Sequence, residues 1–170
     1  MRDQRTAHGG NGPAEEVPNL VDEKVFRLLL GLEVQKAVRL QYCVSVVLLG
    51  IDPAATAGGQ EDAPSLAAHL ATLMTRQLRT TDVVALLSPS SIGVLLIDAE
   101  ARAVPPILSR AMGAWESHPL SFGGRDWQLN WSAGAGSYPQ TATSMQGLLN
   151  QASALMTRAR QEGGARLCLP

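Results

Sequence analysis

Arg79-Thr80-Thr81-Asp82 carries the plainest chemical use in this chain. An arginine can fork onto a phosphate through two parallel N–H donors. An aspartate three residues on can accept from N–H groups. The same spacing suits a turn between a helix and a strand, with the carboxylate tying down backbone. Exposed Arg–Asp pairs of this kind are common and weak. Asp52, Glu61 and Asp62 are the other neighbouring carboxylates. A stretch rich in glycine and alanine separates them, and they lack metal-ligand spacing. His8, His69 and His118 are scattered, so surface or satisfied histidines are expected. No Ser/His/Asp set follows from the spacing. Cys43 and Cys168 lie in apolar runs and read as buried free thiols.

These residues need elements to position them. Val83 to Leu87 and Ile92 to Ile97 are apolar runs of strand length around Ser88-Pro89-Ser90-Ser91. That pattern reads as a β-hairpin. Both runs are continuous rather than alternating, so both faces are expected to be covered. Val44 to Ile51 reads as a strand and Ser65 to Leu78 as a helix. Pro105 and Pro106 open a helix to about Glu116, since the first helical position needs no N–H partner. His118 to Arg125 reads as a loop, and Trp127 to Gly134 as an alternating strand. Ser144 to Glu162 is a helix closed by Gly163-Gly164, and Ala165 to Leu169 a last short strand.

Before these elements, Asp22 can cap a helix running to about Leu40. Val25, Leu28, Leu29 and Leu32 follow helical spacing and read as its apolar face. Residues 1–18 are polar, contain Gly and Pro, and read as a disordered tail before a domain spanning 19–170. The element order centres on β-α-β-β-α-β, which predicts an α+β, ferredoxin-like fold. It carries an extra N-terminal helix and a short C-terminal strand. Helices are expected on one face of a mostly antiparallel sheet, with the first helix as an addition.

Composition narrows the function classes. The chain has 170 residues, is 45% apolar and carries a formal net charge of −1. One domain with a sizeable core follows. No basic stripe suggests a nucleic-acid surface, and no apolar run reaches the roughly 18 residues of a membrane span. A signal-peptide core is absent from residues 1–13. The expectation is a cytoplasmic protein that contacts neither nucleic acid nor membrane.

The hairpin and its flanks resemble the GGDEF domain of bacterial diguanylate cyclases. Arg79 and Asp82 match the family's Arg-x-x-Asp, while Ser88 to Ile92 stand where Gly-Gly-Asp/Glu-Glu-Phe belongs. Ser45 to Asp52 resembles the family's first strand, Ser132 to Pro139 its Ser-x-Gly-x-Ala strand exit, and Leu148 to Gly163 its closing helix. The resemblance implies that the metal-ligand positions fall on Gly50 and Ser90, neither of which has a carboxylate. Asp52, two residues on from Gly50, should share its face. Ala54-Ala55 replaces the family's Phe-Lys, the position of a guanine-reading aspartate falls near Pro64, and Ala152-Ser153 replaces Ala-Asp. Arg160 stands at the place of a phosphate-contacting lysine. No catalytic residue, metal or cofactor is therefore expected.

Two functions follow from the resemblance. One is an inactive signalling module that receives cyclic di-GMP at Arg79, Asp82 and Arg110. There the arginines would meet phosphate or the guanine N7/O6 edge, and the aspartate guanine N–H groups. Leu86 replaces a further arginine of that site. The alternative is a protein-interaction or homodimerising scaffold that binds no nucleotide.

Overall fold

The computed structural model describes residues 19–53, 63–116 and 120–170. Its elements in order are β1 (Leu20–Asp22), α1 (Glu23–Leu40), β2 (Val44–Pro53), α2 (Ala63–Thr75), β3 (Val83–Ser88) and β4 (Ser91–Ile97). Then come α3 (Val104–Glu116), β5 (Leu120–Phe122), β6 (Arg125–Trp127), β7 (Leu129–Tyr138), α4 (Met145–Gln161) and β8 (Arg166–Cys168). Six strands form one sheet in the order β1-β3-β4-β2-β7-β8. Its four central strands, β3-β4-β2-β7, are the ferredoxin-like arrangement of the β-α-β-β-α-β unit. β1 and β8 extend the two edges, each parallel to its neighbour. The expected tail, residues 1–18, lies outside the described residues.

Local chemistry sets the boundaries. Asp22 caps α1, its carboxylate accepting from Val25 N–H at 2.8 Å. Ser144 caps α4 by accepting from Gly147 N–H at 3.1 Å. Gly163 and Gly164 end α4 at φ of +105° and +75°, where a side chain would be strained. β2 is buried from Val44 to Ile51 because it lies between β4 and β7 with helices above and below.

The helices cover both faces, not one. α2 and α3 bury Leu66, Leu70, Met74, Leu108 and Met112 against Val47 and Leu49. α1 and α4 bury Phe26, Leu30 and Leu148 against Val46, Leu48 and Leu95 on the other side. Strands of continuous apolar character require this, since alternate residues face opposite ways. The inward face of α1 also differs from expectation. Phe26, Leu30, Val34 and Ala37 are buried, whereas Val25, Leu28 and Leu32 are exposed. Two apolar stripes run along this helix, and spacing alone does not say which one meets the sheet.

The predicted loop from His118 to Arg125 instead contains a hairpin, β5 paired with β6, turning at Gly123-Gly124 with φ of +61° and +74°. Both positions need positive φ, which glycine supplies. Trp127 therefore belongs to this hairpin, and β7 begins at Leu129. Cys43 and Cys168 are free thiols, half-buried rather than buried.

Candidate functional site

The C-terminal half of β2 and the β3–β4 turn meet at one corner. Gly50 lies opposite Ser91 on β4 and Ser132 on β7. Ile51 N–H donates to Ser90 O at 2.8 Å, tying the turn to the strand. Within the turn, Ser90 N–H donates to Ser88 Oγ at 3.3 Å, and Ser88, Pro89 and Ser90 are exposed. The strands extend to Ser88 and Ser91, so only Pro89 and Ser90 remain as the turn, with a register shift between Leu86 and Ser88.

Arg160 reaches into this corner from α4. A Cβ built on Gly50 would lie 2.7 Å from a terminal guanidinium nitrogen of Arg160 and 3.4 Å from Met156 Sδ. The Arg160 Nε forms an ion pair with Asp52 Oδ2 at 3.0 Å. Gly50 and Asp52 therefore share a face, as strand alternation requires, and a guanidinium lies across both. The side chains of Arg160 and Asp52 are 49% and 44% exposed, so water screens this pair. Beside Gly50, Ser132 is fully buried and its Oγ has no hydrogen-bond partner among the described residues. The described residues contain no group of three His, Cys, Asp or Glu able to hold a metal. Ala54-Ala55 lies outside them. Among the described residues the arrangement offers one half-exposed cation and no carboxylate pair.

β7 explains why α4 can carry Arg160 so close. A Cβ on Gly134 would meet the backbone of Ala152 and Met156 and come within 2.7 Å of Leu155 C. On Gly136 it would meet Leu148 O at 3.1 Å. These two positions let α4 lie directly on the strand, which sets the reach of Arg160 from the helix's last turn.

The second candidate site lies at the entry to β3. Asp82 is only 4% exposed. One carboxylate oxygen accepts from Arg79 N–H at 3.0 Å, and the other from Ile97 N–H at 3.2 Å. Asp82 N–H donates back to Arg79 O at 3.0 Å. The carboxylate thus closes the turn after α2 and fastens it to the end of β4. It points inward, and this is the turn-fastening use of the Arg-x-x-Asp spacing. The Arg79 side chain is exposed, as is Arg110 on α3, which packs beside α2. No hydrogen bond or ion pair joins Arg110 to Arg79 or Asp82 among the described residues.

The family described as "Diguanylate cyclase, GGDEF domain" matches residues 16–166. The chain belongs to the GGDEF family. Solved structures place it in the same fold. The GGDEF domain of FimX from Pseudomonas aeruginosa is 20% identical, with a TM-score of 0.75 over 94% of this chain and 99% of that one. The GGDEF domain of DgcB from Caulobacter crescentus, solved with c-di-GMP, is 12% identical, with a TM-score of 0.67 over 99% and 98%. Diguanylate cyclase SiaD from Pseudomonas aeruginosa, solved with its activator SiaC, is 16% identical, with a TM-score of 0.69 over 92% of this chain and 61% of that one. No curated protein matches the chain.

By the resemblance, Gly50 and Ser90 are expected at the family's metal-ligand positions. Ser90 is an exposed turn residue held by its backbone carbonyl. Gly50 is overlaid by Arg160, an arrangement that sequence did not reveal. The available signal was a residue without a side chain at Gly50, two positions before a carboxylate able to anchor a guanidinium. Among the described residues no helix is long and apolar enough to cross a membrane.

Proposed function

We propose that this GGDEF-family chain makes no cyclic di-GMP and serves as a signalling module through contacts with another protein. The observation that carries this reading is the guanidinium of Arg160 lying over Gly50 and paired with Asp52. Joining two GTP molecules requires hard cations on the triphosphate, and those cations need carboxylate oxygens. Here the corner holds a positive side chain, and Asp52, the nearby carboxylate among the described residues, is engaged by it. The test is incubation of the purified protein with GTP and Mg²⁺ or Mn²⁺. No cyclic di-GMP is expected. Steady product formation that Asp52→Ala abolishes would overturn the reading.

A second reading keeps the protein as a cyclic di-GMP receptor. It is favoured by Arg79 and Arg110, which are exposed and have no carboxylate partner among the described residues. In this reading the arginines take the phosphates or guanine edges, and Asp82 positions Arg79 by holding the turn. Calorimetric titration with cyclic di-GMP and GTP separates the two. Micromolar binding weakened about tenfold by Arg79→Ala, near 1.4 kcal/mol, supports the receptor. The absence of heat and of any melting shift leaves the protein-contact reading.

A further inference from the structure

We propose that the cleft between the last turn of α1, the entry to β2 and the end of β7 binds a proline-rich segment of a partner protein that carries a basic residue. This cleft lies at the opposite end of β2 from Gly50. It encloses about 370 Å³, and its walls include Val38, Gln41, Tyr42, Tyr138 and Pro139. The chain has two tyrosines, and both stand here. Register explains the pairing. Tyr138 lies opposite Val44, two residues after Tyr42, so both rings face the α1 side of the sheet. Val38 forms the helix wall and is 59% exposed.

Donors and acceptors point to the class of occupant. No charged side chain lines the cleft among the described residues. Its free polar groups are the Tyr138 hydroxyl and the Gln41 amide, neither of which has a hydrogen-bond partner among the described residues. Both can donate. The Tyr42 hydroxyl already donates to Glu33 at 2.6 Å. A polyproline II segment has carbonyls with no internal hydrogen bond, and its prolines bring no N–H to satisfy. Grooves lined by aromatic side chains recognise such segments because they are ordered before they bind. An ordinary extended peptide would instead bring an N–H at every residue, and the cleft offers few acceptors for them.

Charge asks for a basic residue. Asp98 follows the last residue of β4 and stands beside Cys43, because Val44 pairs with Ile97. It is exposed and has no ion-pair partner among the described residues. Burial, then the charges of Glu100 and Asp98, push the Cys43 thiol up, so the acidic groups act on the cleft wall. Glu100 is paired with Arg102 at 2.7 Å, which leaves Asp98. The cations of α1 do not offset it. Lys36 is paired with Glu33 at 2.5 Å. Lys36 and Arg39 also stand across the helix from Ala37, Val38 and Gln41, given about 3.6 residues per turn. The C-terminal end of the α1 dipole adds to the negative side.

This names the partner of the proposed protein-contact module and rests on that reading. The test is calorimetric titration of the whole chain with an oligoproline of about nine residues, three turns of polyproline II, bearing an arginine at each end. Saturable binding with a Kd below about 1 mM is expected. Glutamate ends should weaken it about threefold or more, and an alanine–serine peptide with arginine ends should bind about tenfold more weakly. Tyr138→Ala and Val38→Lys should each weaken binding about tenfold. Circular dichroism should find Val38→Lys folded, because that side chain faces solvent. Asp98→Asn should lose about threefold with the arginine-ended peptide and nothing with the glutamate-ended one. Asparagine suits the backbone there, at φ of +51°.

No saturable binding overturns the proposal, whether a second copy, residues 1–18 or nothing fills the cleft. Equal affinity for the alanine–serine peptide overturns it too, as does binding indifferent to a folded Val38→Lys or Tyr138→Ala. Glutamate ends that bind as well as arginine ends, or an Asp98→Asn as tight as wild type, refute the basic residue. GTP turnover measured on the same samples stands apart. Product formation would refute inactivity and leave the titration standing, whereas a chain that makes no product and binds no oligoproline refutes only this inference.

Discussion

Replacing Gly50 with aspartate adds a second carboxylate beside Asp52, and the structure fixes what this should do. The new Cβ would lie 2.7 Å from the end of Arg160, so that side chain must move. The obstruction is the tip of a flexible, half-exposed arginine, not backbone. Its ion pair with Asp52 is screened and contributes no more than about 1 kcal/mol. The new carboxylate also offers the guanidinium a replacement partner. Gly50→Asp should therefore change stability by less than about 1 kcal/mol. Gly134→Ala is the contrast, because its Cβ would enter the backbone of α4 at Ala152 and Met156. Helix and strand would have to separate, at a cost of about 2 kcal/mol or more. Urea denaturation of both variants measures the difference as a shift in midpoint at unchanged slope. Equal losses in the two variants would refute the argument that Arg160 is the yielding group. The appearance of GTP turnover in Gly50→Asp would show that one carboxylate suffices, contrary to the proposed defect.

Asp82→Ala should destabilise the domain by about 1–3 kcal/mol, since two part-buried backbone N–H groups lose a buried, charged acceptor. Arg79→Ala should stay within about 0.5 kcal/mol, as an exposed surface substitution, and thermal melts of the pair check this. Tyr42 donates to Glu33 at 2.6 Å, and burial, then this bond and the Glu33 and Asp98 charges, push its pKa up from 10.0 to about 12. Its contribution to stability is thus fully present below pH 10 and lost as pH rises towards 12. Tyr42→Phe should flatten that alkaline loss, visible as a smaller fall in melting temperature across the same window. Ser144→Ala should cost about 1 kcal/mol through loss of the α4 cap, measured by urea titration.

Much of the architecture was legible because its signals are local. Asp22 announced the start of α1, Gly163-Gly164 the end of α4, and two apolar runs around Ser88 to Ser91 the central hairpin. The errors arose where a signal needs a partner to be read. β1 is three residues long and becomes a strand through pairing with β3. The Gly123-Gly124 turn had flanks of only three residues each, too short to show alternation. The face of α1 was misread because periodicity measures the angle between apolar residues, not which side the sheet occupies. At the candidate sites, residue identities were legible but directions were not. Arg160 appeared as a lone cation, and only the close approach of α4 over Gly134 and Gly136 places it on Gly50.

The same distinction bears on what Arg79 and Asp82 imply. A carboxylate with both oxygens on backbone N–H groups is accounted for by the fold, whatever the protein binds. Asp82 closes the turn after α2 and ties it to the last residue of β4, and removing it should disturb any neighbouring function indirectly. Its presence therefore adds nothing to the case for cyclic di-GMP. Arg79 is different, because only its backbone takes part in that turn and its guanidinium has no partner among the described residues. The receptor reading rests on the Arg79 and Arg110 side chains alone. Titration of Asp82→Asn puts this to the test, since the amide oxygen can keep one backbone N–H and the turn. If the wild type binds, Asp82→Asn should retain affinity within about threefold wherever its fold persists, while Arg79→Ala loses about tenfold. Loss of binding in a folded Asp82→Asn equal to that in Arg79→Ala would show the carboxylate touching the ligand, and would refute its assignment to the turn alone.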